Sequence, residues 1–467
     1  MFRLFKDNGA TELLCKVLPS NANSKNQVYL ARDLSQLGKI PSGEVTLHQS
    51  TTQKGGGVEA VFRAALDFHW IRQDGRARQA PDAKLIFYPQ YPEVRFSGFL
   101  RGCSDAPSSL YDKNRRGTEP GRVLVLGISN GRKVLGITLP PESPAVREID
   151  AHHPRDAYGA FLILPIPGLV QGEGFMELMR KLCAIHRRDW LPSRRLDKNG
   201  ILVPCNASNC NGNTLESLLG IRSNGYSQPD FRGWEIKARN VPNSAKPGAS
   251  VVTLFTPEPT AGVYVHDGLL AFMHRYGYAD TTGRADRLNF GGPYRANGAA
   301  HARTNLRMVV DGFKADDGKY SPTGAIRLLD LNDREAMSWS FAKLIDHWKT
   351  KHAHAAFVPA QQRLVPERQY RYGRDILLGE GAEFGLFLAA VEAGKVYYDP
   401  GIKVEKVSST KPVTKRRSQF RVSSKDIPAL YTTHRIVDAC AQAGYQPIPA
   451  SPVLSTATHP ASSAAAS

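Results

Sequence analysis

The sequence predicts a mixed α/β (α+β) chain, a sheet flanked by helices and preceded by a β-rich N-terminal region. Three observations carry this. Up to about residue 170 the apolar runs are short, often alternating, and broken by turn residues. Beyond it, amphipathic helical patterns are interleaved with strand-like runs. With 467 residues and 41% apolar composition, the chain has material for more than one core, so two or three domains are expected.

In order along the chain, "GGVEAVFRAALDFHWIR" (56–72) has apolar residues at helical spacing and predicts the one clear helix of the first region. "KLIFYPQYPEVRFSGFL" (84–100) predicts short strands. "RVLVLGISNGRKVLGITL" (122–139) predicts a hairpin about its Asn-Gly turn. The Pro-rich, charged stretch 140–159 predicts a boundary or long loop. Residues 1–170 are thus expected to form a separately folded accessory domain, and 171–435 the second region. That region opens with the amphipathic "GFMELMRKLCAIHRRDWLPS" (174–193), then a short helix in "GNTLESLLGI" (212–221) capped by Asn213 or Thr214. "FRGWEIKA", "ASVVTLFT" and "TNLRMVVDGF" predict strands. "SWSFAKLIDHWKTKHAHAAFVPAQ" and "EFGLFLAAVEAGKVYYDPGIKV" each predict helix then strand. The Pro/Ala/Ser-rich end, 446–467, buries little and predicts a disordered tail.

The formal charge is +18, and the pI is about 9.6. Such an excess suits a polyanion such as nucleic acid, or an anionic surface. A spanning helix is not predicted: "GAFLILPIPGLV" (159–170) is broken by two prolines, whereas spanning takes roughly 20 apolar residues. The six cysteines (15, 103, 183, 205, 210, 440) contain no CxxC pair and no zinc-site spacing. They are expected to be reduced thiols in a cytoplasmic protein. No Ser-His-Asp arrangement, RNP-type motif or phosphate cradle is readable.

The chemistry concentrates in "QPDFRGWEIKARN" (228–240). On a strand, Trp234 and Ile236 point one way and Glu235 and Lys237 the other. Asp230, just upstream, can close on the same space. Paired carboxylates suit a hard divalent cation such as Mg²⁺. Such an ion offsets phosphate charge and acidifies a water, which a lysine can orient. Alone, D-x4-E-x-K is as readily a solvated strand face.

Its surroundings narrow the choice. "GNTLESLLGI", "QPDFRGWEIKARN", "SVVTLFTPEP" and "RYG" follow one another in an order that resembles the MvaI/BcnI family of restriction endonucleases, within the PD-(D/E)xK superfamily. The resemblance runs over roughly residues 175–431. It implies a Mg²⁺-dependent, sequence-specific deoxyribonuclease (Mn²⁺ substituting) acting on double-stranded DNA. Asp230 and Glu235 would be metal ligands, and Lys237 the catalytic lysine. Glu216 would hold a second metal or a metal-bound water, or would simply be a helix first-turn acid. A partner DNA methyltransferase is also implied. The alternatives are a modification-dependent or nicking nuclease, and a non-catalytic DNA-binding protein on the same fold. The family's base-reading histidine is absent. Aligned on "FRV", Arg416 falls on its position, flanked by Lys415 and Arg417. His266 and Arg239 complete the candidate DNA contacts, and the arginine-rich stretch 284–307 predicts a phosphate-contacting loop.

Overall fold

The computed structural model describes residues 1–20, 26–50, 59–112, 114, 119–129, 131–151, 156–158, 160–164, 166, 173–207, 209–221, 230–231, 233–241 and 250–444. The tail expected at 446–467 lies outside them.

The first region is β-rich, as its alternation predicts. Its seven-stranded sheet runs Asp156–Tyr158, Phe161–Leu164, Ala10–Leu18, Arg122–Ser129, Val134–Leu139, Phe68–Ile71, Ala77–Gln79. A five-stranded antiparallel sheet runs Val28–Ala31, Glu93–Ser97, Lys84–Tyr88, Glu59–Ala65, Thr46–Ser50. The predicted hairpin is present, with Arg122–Ser129 antiparallel to Val134–Leu139. The helix predicted over 56–72 is instead the two strands Glu59–Ala65 and Phe68–Ile71. Its apolar spacing also satisfies a period of two, since Ala64, Leu66, Phe68 and Trp70 are buried and the residues between them are not. Strands on either side of Glu59–Ala65 settled the ambiguity. The stretch read as a boundary holds the helix Pro144–Ala151.

In the second region a six-stranded mixed sheet carries the order Leu191–Pro192, Gln369–Tyr372, His354–Arg363, Asp375–Ala382, Tyr431–Asp438. Glu235–Asn240 lies parallel to the first half of His354–Arg363. Alternation divides the central strand between two cores. Ala356, Val358 and Ala360 pack with the helices Glu173–His186 and Cys210–Leu219, whereas Ala355 and Phe357 face Phe341–Lys351 and Phe384–Glu392. The sheet is therefore flanked by helices on both faces, as expected.

The second of these cores crosses residue 170. Phe62 and Phe87 of the five-stranded sheet share one apolar cluster with Tyr320, Phe341 and Phe384, and the Phe87 and Tyr320 rings lie 6.0 Å apart. Buried Asp33 accepts hydrogen bonds from Ser35 N (2.9 Å), Tyr320 Oη (3.3 Å) and Phe384 N (3.4 Å), so it caps the helix Phe384–Glu392 from across the chain. Residues 1–170 are joined to the rest by a continuous core.

The reduced-thiol expectation is corrected for four cysteines. Cys183 bonds Cys440, tying Glu173–His186 to the C-terminal helix Ala439–Gln442, and Cys205 bonds Cys210. Spacing along the chain could not reveal a pair 257 residues apart that the fold brings together. Cys15 and Cys103 are free and buried. Among the described residues, no helix is long and apolar enough to cross a membrane.

Candidate active site

The bend at 230–234 sets the site. Phe231 and Trp234 exchange backbone hydrogen bonds (2.9 and 2.8 Å) around Gly233, whose φ of +89° is costly for a residue with a Cβ. The chain doubles back, and Ile236 N donates to Asp230 Oδ2 at 3.0 Å. The strand Glu235–Asn240 begins there. Trp234 and Ile236 enter the apolar cluster of the helical face, while Lys237 Nζ donates to Glu235 Oε1 at 2.8 Å. The expected division of faces is met. The acid's side is not open, however: Glu235 is 2% exposed.

Glu216 comes from the helix Cys210–Leu219. That helix is pinned to the acid-bearing strand by Asn211 Nδ2 donating to Asn240 Oδ1 (2.7 Å), and to the sheet by Tyr372 Oη donating to Asn211 O (2.8 Å). Its start differs from the prediction, because Asn209 occupies the N-cap and makes no side-chain capping bond. Gly220, at φ +78°, ends it in the left-handed conformation usual there.

The electrostatics describe one coupled group. Burial first, and then the Glu235 charge, raise the Asp230 pKa to about 7 against the Ile236 N–H and Lys237. Burial also raises Glu216, with Lys237 opposing and Glu235 adding. For Lys237 burial acts downward, but the Glu235 carboxylate, Asp230 and Glu216 outweigh it and the pKa rises. Glu235 Oε2 is buried with no hydrogen-bond partner. An ionised oxygen in that position is costly unless a cation meets it. The donor set is all oxygen, which fits a hard divalent ion. Among the described residues no ready-made cluster of three His, Cys, Asp or Glu ligands is gathered. The residues therefore fit an ion held by one or two carboxylates and completed by water or substrate, as Mg²⁺ commonly is.

Sequence reasoning missed a further member. Lys351, at the end of Phe341–Lys351, places Nζ 3.8 Å from Glu235 Oε1. It lies far along the chain, and only pairing of the strand after it, His354–Arg363, with Glu235–Asn240 brings it near.

The DNA-contact candidates fall in different settings. Lys415, Arg416 and Arg417 are exposed, at and just beyond the short strand Val413–Lys415. The Arg416 guanidinium lies 5.8 Å from the centre of the Tyr264 ring, and Tyr264 Oη donates to Glu258 Oε2 at 2.8 Å. Tyr264 belongs to the same short helix, Val263–His266, as exposed His266. Arg239, two residues along the strand from Lys237 on the same face, is only 6% exposed. The stretch 284–307 is not wholly loop: Arg287–Gly291 is a strand. Arg287 is paired with Asp280 (3.5 Å) and Glu405 (3.7 Å), and Arg295 covers Tyr397 at 4.0 Å.

Comparison with curated proteins returns no match. Solved structures that resemble the chain include restriction endonuclease MvaI in complex with cognate DNA (20% identity, TM-score 0.43, covering 58% of this chain and 99% of that one) and MvaI without DNA (19%, 0.33, 57% and 98%). A sequence model of the MvaI/BcnI restriction endonuclease family matches residues 179–431, more than half of the chain and the whole stretch from Glu216 to Arg417. The chain belongs to the MvaI/BcnI restriction endonuclease family and is a DNA nuclease.

Proposed function

We propose that the chain is a Mg²⁺-dependent, sequence-specific endonuclease of the PD-(D/E)xK type, hydrolysing phosphodiester bonds of double-stranded DNA. The observation that carries the reading is the partnerless Glu235 Oε2, buried beside Lys237 and coupled to Asp230 and Glu216. Glu235 and Asp230 would hold the ion, with Glu216 as an auxiliary ligand. When bound, the ion supplies positive charge against the phosphate and acidifies water.

Lys237 stays charged, held by Glu235, and its ammonium orients the attacking water and offsets charge developing on the phosphate oxygens. Water adds to phosphorus, the P–O bond to one sugar oxygen breaks, and the proton released by water ends on that oxygen. Arg416, Arg417, Lys415 and His266 would contact DNA. Arg416 is proposed to read guanine through its planar fork. Residues 1–170 would add specificity or sense a modification. The partner in the cell would be a methyltransferase protecting host sites, with the enzyme acting in the cytoplasm against foreign DNA.

Incubation with supercoiled plasmid tests this reading. Mg²⁺ or Mn²⁺ should give discrete fragments whose sequenced ends share one motif, and chelation should stop cutting. Intact plasmid with every divalent ion, alongside tight DNA binding, would favour a non-catalytic binder.

A further inference from the structure

Two lysines converge on one carboxylate oxygen. Lys237 Nζ lies 2.8 Å from Glu235 Oε1 and Lys351 Nζ 3.8 Å from it. The longer contact is outside hydrogen-bond range. Lys237 already satisfies that oxygen, so Glu235 does not require the second ammonium. The Lys351 side chain is also the more exposed of the two, at 29% against 14%.

Its backbone, by contrast, is firmly placed. Trp348, one turn earlier, is fully buried and stacks on His352 with ring centres 4.1 Å apart. His352 Nδ1 lies 3.2 Å from Tyr431 Oη. Lys349 donates to Ser42 Oγ (3.0 Å) and Gly43 O (2.8 Å), and Asp346 Oδ1 accepts from Val45 N (3.3 Å), so the N-terminal region clamps the helix end. A fixed stem with a partly exposed ammonium suits a ligand arriving from outside. The charge already reaches Glu216 and His352.

A divalent ion on Glu235 would repel both ammonium groups at this range. Lys351, the less tightly held, would then turn to another anion, and the anion that the reaction brings in is the phosphodiester. We propose that Lys351 is a second phosphate-binding residue of the active site, its ammonium donating to a non-bridging oxygen of the scissile phosphate while Lys237 serves the attacking water. The inference rests on the metal-dependent nuclease reading. The Lys351 ammonium balances charge as the water–phosphorus bond forms and the ester bond breaks.

Lys351→Gln and Lys351→Arg, compared with the wild type in the full chain, test it. Binding is measured in Ca²⁺, a hard divalent ion that takes oxygen ligands, on a fluorescent duplex containing a mapped cleavage site and checked to stay uncut, or on a random-sequence duplex if none is found. In Lys351→Gln the slope of log affinity against log salt should fall by about 0.9, the loss of one phosphate contact. In Mg²⁺ its kcat should drop about 100-fold, as for loss of one transition-state donor. Mn²⁺ affinity without DNA should stay equal or tighten, because no ligand is removed. Lys351→Arg should restore the slope and part of kcat. A wild-type slope in Lys351→Gln overturns the proposal, as does a kcat loss accompanied by weaker Mn²⁺ binding or by a lower melting temperature that arginine does not rescue. A wild-type chain inert with every metal sinks the nuclease reading instead, and the salt slope still decides Lys351.

Discussion

The Glu235 pocket and the Lys415–Arg417 segment both gather charge beside a strand, but they hold it in opposite ways. In the pocket, Glu235 is buried and coupled to Asp230, Glu216 and Lys237, and one of its carboxylate oxygens has no partner. In the segment, three cations stand in solvent, with Arg416 resting near Tyr264. Buried charges interact strongly and are fixed by the sheet around them, whereas exposed charges are screened and adaptable. The first arrangement suits chemistry at one atom and the second suits the reading or clamping of a long polyanion.

The pocket depends on a sheet packed on both faces, so the largest expected effect comes from stripping one of them. A chain beginning at Glu173 exposes Tyr320, Phe341 and Phe384 and loses the cap that Asp33 gives. It should fail to unfold cooperatively and should not cut. A sharp melting transition with wild-type cleavage would show that the shared core is dispensable.

Within the folded chain, Glu235→Ala and Lys237→Ala should each lower kcat by about 100-fold or more while leaving DNA binding in place. Glu235→Ala should also weaken Mg²⁺ binding. Full cutting by either variant removes the pocket from the mechanism.

Arg416→Ala should cost about 1–3 kcal/mol of binding and relax preference at a single base pair, if it reads guanine. Competition against single-base variants of the cleaved site measures this. Equal loss on every sequence would make the segment a backbone clamp.

The smallest effect concerns acid. Burial holds fully buried His352 well below the ordinary 6.5 and brings His354 down to about 4. Both folded pKa values are depressed, so below 6.5 the unfolded chain binds more protons. The contribution of these histidines is full above 6.5 and is lost as pH falls toward 4. Melting temperature against pH should show this decline, and His354→Gln should flatten it. An unchanged profile in that variant would assign the acid sensitivity elsewhere.

Much of the pocket was legible because it is local. Two apolar residues alternating with an acid and a lysine define the faces of one strand, and Gly233 supplies the bend that returns Asp230. Lys351 was not legible, since it is a common residue at the end of an ordinary amphipathic helix. The burial of Arg239 was equally hidden, because alternation gives a side chain its face but not what covers that face. The segment was legible through family resemblance alone, since three exposed cations carry no packing pattern.

By itself the sequence determined the β-rich start, the interleaved helices and strands that follow, and the acid–lysine strand, all consequences of periodicities set by neighbouring residues. Tertiary structure alone decided that 59–71 is strand rather than helix, that Cys183 meets Cys440, that the first region shares its core with the nuclease part, and that Lys351 reaches Glu235. The reason is common to all four: each depends on partners distant in the chain, and a local pattern compatible with two outcomes is resolved only by what packs against it.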